Sequence, residues 1–452
     1  MNRLMHLWSN LRSSLWFTPS LIVVLSIVFA VVLIEVDSTG GDRWLAQWPR
    51  LFGAGAEGAR GMMSTIAGSM MTVVGVTFSM ILVVLAMASS QYTSRILRNF
   101  MRSRVTQVVL GIFAGVFTYC LIVLRTIRSG DEGSFVPNLA VFFGFMLALG
   151  GVGALMFFIN HIASSIQASS IIASVAEETI AAIDRLFPER LGQGPGEDDA
   201  TADQTLRPPD GQIWHAVPAS QSGYIQSVNN AGLMRLARDT KTIVLMEHGI
   251  GEFVVQDTTL ASLTLKDPPD QETISALQAT FSIRRYRTVE QDAAFGIRQI
   301  VDVALKALSP GINDTTTAVM CVDYLTAILA RIALRKIPSS RRYEDGELRV
   351  IAKGPSFESL LAESFDQIRS SATGNVATML RMLGALQTIA GLTARPGRRQ
   401  ALRDQAQWIA ELAERTLESA HDQTKIKARL AHVREALETE PTLYPGEEKY
   451  CA

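Results

Sequence analysis

Four long runs without a single charged residue constrain this chain more than any other feature: Phe17–Ile34, Met62–Ala88, Val105–Leu124 and Phe135–Asn160. A helix needs about 20 residues at about 1.5 Å rise to cross a hydrocarbon core of about 30 Å, so each run reads as a membrane span. The second and fourth are longer than the core requires and should tilt or project beyond it. No small-x-small cleavage site parts the first run from Glu35, so it reads as an uncleaved span. Composition agrees: 48% of the chain is hydrophobic and 19% charged, with nearly all the apolar excess in the first 160 residues. An average soluble domain is about 25% charged. The chain is a membrane protein with a sizeable soluble part.

Other classes fall away. A net charge of −1 supplies no basic field for a phosphate backbone, which excludes nucleic acid as a partner. Cys120, Cys321 and Cys451 are too few and too scattered for a disulfide framework or a zinc knuckle. Neither the six histidines nor any other spacing suggests a metal site, and no P-loop, H-E-x-x-H, G-x-S-x-G or complete G-x-G-x-x-G is present. No cofactor is expected, and the reading leans away from an enzyme.

Lys/Arg counts in the short flanks set the orientation. Arg3 and Arg12 precede the first span, and Arg95, Arg98, Arg102 and Arg104 follow the second, in both cases with no acid. After the first span, Glu35, Asp37, Asp42 and Glu57 offset Arg43, Arg50 and Arg60, and after the third, Arg125 and Arg128 face Asp131 and Glu132. Every purely basic flank falls on one side. That side is the cytoplasm, so both termini are expected there.

The fourth run continues as an apolar, small-residue helix, His161–Leu186, which Pro188 ends. Residues 189–211 are rich in Pro, Gly and Asp and read as a linker. Short β-like runs follow at His215–Pro218, Tyr224–Val228, Thr242–Met246 and Glu252–Val255, with a helix Ala231–Asp239 capped by Asn230. They suggest a small β-barrel or sandwich, and because no lysine occupies a hairpin tip, a lipoyl or biotin carrier is not expected. Helical periodicity returns from Gln271, interrupted by a hairpin at Glu347–Ala352. Over Arg398–Leu437 a narrow stripe of Leu402, Ala406, Ile409, Ala413, Leu417 and Ala420 suits a helical hairpin. The expected layout is a four-helix transmembrane domain (1–160), a helical extension and linker (161–210), a β-rich domain (211–268) and a helical domain (269–452). The last three form a cytosolic α+β region.

Three groups of residues are candidates for function. In the second span, Ser64, Gly68, Thr72, Gly75 and Ser79 recur at steps of 4, 4, 3 and 4 and share one helix face. Such a stripe lets helices pack closely, or lines a wettable pore about a symmetry axis. The two readings are compatible if the packing is between subunits. Arg95, Arg98, Arg102 and Arg104 form a basic collar at the cytoplasmic end of that span, favouring anions if it rings a pore, although the orientation signal alone explains it. In the soluble part, Arg284, Arg287, Asp292, Arg298, Asp302, Asn313 and Asp314 surround the turn Ser309–Thr315. Asn313 or Asp314 can simply cap the next helix, or the charges can converge on an ion-binding pocket.

The run Thr288–Asp292 (TVEQD), then Phe295–Asp302 (FGIRQIVD) and Ala307–Asp314 (ALSPGIND), resembles a bacterial family of predicted membrane proteins known only as domain of unknown function 2254. The resemblance extends over almost the whole chain, which differs from the familiar pattern at Lys306, where arginine is common, and at Thr315, where proline is. It implies a fold of N-terminal spans with a cytosolic remainder, and no activity.

No Asp, Glu, Lys or Arg lies within the four runs, which disfavours ion-coupled transport. Two functions remain. One is an oligomeric passive channel with a cytosolic vestibule or gate, and the other is a membrane-anchored sensor or scaffold whose cytosolic part binds a ligand or protein. The expected partners are membrane lipids, further copies of the chain, and an unidentified small ion or ligand.

Overall fold

The computed structural model describes residues 16–39, 55–91, 104–128, 135–165, 167–187 and 213–439. They fall into two compact units, Met1–Ser170 and Ile171–Ala452.

The first unit holds four helices: α1 (Phe17–Ser38), α2 (Ala56–Gln91), α3 (Arg104–Thr126) and α4 (Asn138–Ser165). Their exposed surface is apolar, with Val24, Leu25, Val76, Leu149 and Met156 all more than 45% exposed. In water such a surface would be untenable; in lipid it is the ordinary outside of a span. The shared core includes Met63, Phe113, Tyr119, Val123 and Phe158. Half of the most apolar window of α3 is buried, against 6% for α1 and 17% for α2 and α4. Thus α3 is the central helix. It reaches α1 through Gly111 and Gly115: a Cβ on the first would sit 2.6 Å from Ile22 Cδ1, and one on the second 2.5 Å from Ser26 Oγ. This is a G-x-x-x-G contact, where missing side chains admit a neighbouring backbone. At the far end of α1, the Leu139 and Ala140 N–H groups donate to the Asp37 carboxylate at 3.2 and 3.1 Å. An acid from one helix thereby caps the first turn of another.

Helix α5 (Ala168–Leu186), which leads into the second unit, starts after a break in the helix that was expected to run unbroken from His161. The strands are β1 (Ile213–Pro218), β2 (Gly223–Val228), β3 (Val244–Met246), β4 (Phe253–Val254), β5 (Thr259–Leu265), β6 (Phe281–Arg284), β7 (Arg341–Glu344) and β8 (Glu347–Ile351). They form a five-stranded sheet in the order β1-β5-β3-β8-β7 and a three-stranded sheet in the order β4-β2-β6, rather than one closed barrel. The two sheets share one core with α6 (Asn230–Asp239) and α7 (Gln271–Thr280), including Val217, Ile225, Leu233, Val244, Leu263, Leu277 and Ile283. Strand β8 joins β3 in parallel, so residues far along the chain complete a sheet begun near residue 213. The β7–β8 hairpin turns on Asp345 (φ 53°) and Gly346 (φ 78°), the two positive angles of a type I′ turn. Asn229 rather than Asn230 caps α6, its side chain accepting from the Gly232 N–H at 3.0 Å.

The remaining helices are α8 (Ala293–Ala307), α9 (Thr315–Ala333), α10 (Phe357–Ser371), α11 (Val376–Ala390), α12 (Pro396–Thr416) and α13 (Ala420–Glu438). Short polar residues start most of them, including Asp292, Asp314, Asn375, Ser419 and the capping box of Ser356 with Ser359. The α12 stripe is buried from Leu402 to Leu417, but Ala420 is exposed because the chain turns at Leu417 to begin α13.

Among the described residues, five helices are long and apolar enough to cross a membrane, α1 to α4 and also α9. The last was not among the four runs because Asp323 and Arg331 interrupt it. Its apolar face is occupied: Ala318, Cys321, Val322, Leu325, Ile328, Leu329 and Ile332 are all 0% exposed within the second unit. Its polar residues are paired too, Asp323 with Arg381 of α11 and Arg331 with Asp184 of α5.

Candidate functional site

Around α2, buried Ala59, Met63, Ala67, Met70, Thr77 and Val84 make one face, directed at the core of the first unit. Ser64, Gly68, Thr72, Gly75 and Ser79 are all exposed. At about 100° per residue the two sets are centred about 160° apart, so the small stripe lies on the far side of the helix from its packing face. A Cβ on Gly68 or Gly75 would meet nothing within 4 Å. The Thr72 hydroxyl donates to the Gly68 carbonyl of its own helix at 3.0 Å, a bond that leaves the stripe smooth. Exposed Met71 and Phe78 flank it on one side, and Val76 and Val83 on the other. The stripe is a shallow groove of small residues between bulky walls.

Of the basic collar, Arg104 begins α3 and is exposed, while Arg95, Arg98 and Arg102 lie outside the described residues, as does the linker at 189–211.

The candidate charged residues of the second unit take up three separate arrangements, with Arg284 outside them. Asp292 is 5% exposed and grips Arg287 with both oxygens, at 2.7 Å from Nε and 3.0 Å from Nη2. It also accepts from the Phe295 N–H at 3.0 Å, starting α8, and the Arg287 guanidinium lies 5.1 Å from the Phe295 ring centroid. Arg298 turns instead to Asp302 at 3.1 Å, one helical turn on, and to Glu363 of α10 at 3.2 Å. Asp314 is exposed and caps α9, accepting from the Thr317 N–H at 3.0 Å and the Thr317 hydroxyl at 2.6 Å. Those bonds hold its carboxyl below the usual aspartate range. Asn313 beside it adopts a left-handed backbone, φ 51°, that lets the turn enter the helix. Arg284 stands apart, exposed at the end of β6.

Other groupings left no signal in the sequence. Glu252 is held by Lys353 at 2.9 Å and His248 at 3.1 Å. Partial burial pushes its carboxyl up, but the hydrogen bonds from those two side chains outweigh it and leave the group below the usual range. Arg398, 1% exposed, donates to the carbonyls of Ile332, Ala333 and Arg335 and so closes the C-terminal end of α9. Arg335 does the same for α5, donating to the Phe187 carbonyl at 2.7 Å while pairing with Asp184 at 2.9 Å. These arginines meet their partners only in three dimensions; an isolated arginine in the sequence does not announce them. Among the described residues, no three His, Cys, Asp or Glu side chains are grouped to hold a metal ion.

Two curated relatives are similar to this chain: the uncharacterized proteins Mb1321c of Mycobacterium bovis and Rv1290c of Mycobacterium tuberculosis. Each is 31% identical over 457 residues, covering 98% of this chain and 85% of the relative. No solved structure matches. The sequence profile of the family described as predicted membrane protein (DUF2254) matches residues 12–388, and the chain belongs to that family.

Proposed function

We propose that the protein is a four-span homo-oligomer whose subunits meet through the small-residue stripe of α2, arranged about an axis as a passive pore. The spans of this reading are α1 to α4. Helix α9 is left out because its apolar face is already covered within the second unit. An even span count and the acid-free basic flanks, Arg3 and Arg12 and then Arg95 to Arg104, favour an inner-membrane protein with both termini and the second unit in the cytoplasm.

One observation carries the oligomer: Ser64, Gly68, Thr72, Gly75 and Ser79 are uncovered and point away from the chain's own core. In lipid there is no hydrophobic gain from burying large side chains, so a smooth stripe of small residues is where helices gain most by close packing. Three hydroxyls along it would leave a polar lining where subunits stand around an axis. The absence of ionisable residues from the four runs favours passive permeation over coupled transport.

The test uses the full chain in nanodiscs. Native mass measurement is expected to show an oligomer that Gly68→Leu and Gly75→Leu dissociate, and planar-bilayer recording a conductance that Ser64→Leu and Ser79→Leu reduce. A monomeric native protein overturns the oligomer. An oligomer that stays electrically silent across voltage and tension overturns the pore and leaves the second unit as a membrane-anchored sensor or scaffold.

A further inference from the structure

The outer face of the three-stranded sheet is unusual for a surface in water. Tyr224 of β2 is the direct cross-strand partner of Phe253 on β4 and of Arg284 on β6, so the three side chains project from one face. The alternate residues Ile225, Val254 and Ile283 point into the core and are 0%, 1% and 4% exposed. On the outer face the Tyr224 and Phe253 rings stand edge to face, 5.1 Å between centroids. Phe253 and Val255 are each 52% exposed, and Tyr286, just past β6, is 46% exposed. The Gln226 amide donates to the Tyr286 carbonyl, fastening that segment to β2, and the Arg285 guanidinium lies 5.4 Å from the Tyr286 ring. Arg284 and Arg285 are both exposed, and neither has an ion-pair partner among the described residues. The face thus combines bulky apolar tips, two tyrosines and two unneutralised guanidinium groups.

We propose that this face docks on an anionic lipid surface. Aromatic side chains favour the headgroup level of a bilayer, where one end of the ring is dry and the other wet, and arginine forks match phosphate oxygens. Anionic headgroups supply the counter-charge that Arg284 and Arg285 lack. The chain also carries its own membrane anchor. Helix α4 ends at Ser165 and α5 begins at Ala168, so the second unit is tethered close to an apolar helix and meets a bilayer at high effective concentration. A partner strand added to the sheet fits less well: β4 is two residues long, and the exposed groups lie on the face of the sheet rather than along its edge. The proposal rests on the reading of α4 as a span, and its test keeps the two apart.

The full chain, with Cys451→Ser so that only the buried Cys120 and Cys321 remain, is reconstituted in nanodiscs and spin-labelled at single sites. Val255→Cys reports on the sheet face, Trp408→Cys is a water-exposed reference on α12, and Val76→Cys is a lipid reference on α2. In discs containing phosphatidylglycerol, the ratio of oxygen to nickel-chelate accessibility at 255 is expected to exceed that at 408 severalfold. It should fall toward the 408 value in pure phosphatidylcholine, or when Arg284→Glu and Arg285→Glu are added. A label at 255 as water-accessible as 408 in both lipids, with 76 still in lipid, overturns the docking proposal and spares the membrane reading. A water-accessible label at 76 overturns the membrane reading itself. A label at 255 immobilised equally in lipid-free detergent means a protein covers the face, which also overturns the proposal.

Discussion

Asp292 and Asp314 each start a helix, and a cap is a local device: a side-chain oxygen accepts the N–H three residues on. That is why Asp314 could be read from sequence as an N-terminal signal, whereas Asp292, which starts α8 in the same way, was read only as a member of a charged pocket. Their surroundings differ in a way no local pattern reports. Asp314 is exposed and offers its α9 little more than a cap. Asp292 is 5% exposed, and losing it would leave the Arg287 guanidinium, whose side chain is 25% exposed, without its carboxylate partner. Asp314→Ala is expected to cost about 1 kcal/mol of stability in the second unit. Asp292→Ala should cost on the order of 3 kcal/mol, the scale of breaking a buried ion pair from one side. Denaturant unfolding of the detergent-solubilised protein checks this, and equal losses at the two positions would count against the distinction.

At the scale of elements, two glycine patterns in neighbouring helices have opposite fates. Gly111 and Gly115 of α3 are filled by Ile22 and Ser26 of α1, while Gly68 and Gly75 of α2 face open space. Periodicity showed that α2 carries a small stripe; it could not show which side of the helix the chain's own core occupies, and the α3 pair went unread. Gly111→Leu and Gly115→Leu should therefore disrupt the fold of the single chain, lowering its yield and melting temperature in detergent. Gly68→Leu should leave the melting temperature of the dissociated single chain unchanged, because no neighbour is displaced. Thermal scans of the two sets, run beside size-exclusion profiles, separate the cases. Strand β6 and the register of β8 were likewise illegible, because segments as short as Phe281–Arg284 (FSIR) and Glu347–Ile351 (ELRVI) carry too few apolar positions for periodicity to separate strand from helix.

At the scale of the whole molecule, the second unit is held together by carboxylates whose partners come from distant segments. Arg331 donates to Asp184 across 147 positions, and its hydrogen bond, with the charge of Arg335 nearby, keeps that carboxyl below the usual range. Glu252 and Asp314 are depressed as well. A carboxyl whose pKa is lower folded than unfolded adds stability above its unfolded value and loses it as pH falls through the folded one. Unfolded values lie near about 4, so the urea midpoint should be flat from neutrality to about pH 5 and decline below about pH 4. Asp184→Asn should blunt the decline, with intrinsic fluorescence as the readout. A midpoint insensitive to acid would show that these pairs do not support the fold.

By itself the sequence determined where the long apolar helices of the first unit lie: runs free of Asp, Glu, Lys and Arg are a local feature, because the cost of an ion in hydrocarbon falls on each residue separately. The family resemblance was legible for the same reason of locality, in the run from Thr288 to Asp314. The Asp314 cap and the α12 stripe from Leu402 to Leu417, each set within a few residues, were legible too. The pairing of β3 with β8, the burial of α9 in the second unit and the reach of Arg298 to Glu363 depended on which distant segments meet. Those contacts are decided by packing, where side chains from opposite ends of the chain compete for the same core, and only the tertiary structure settles that competition.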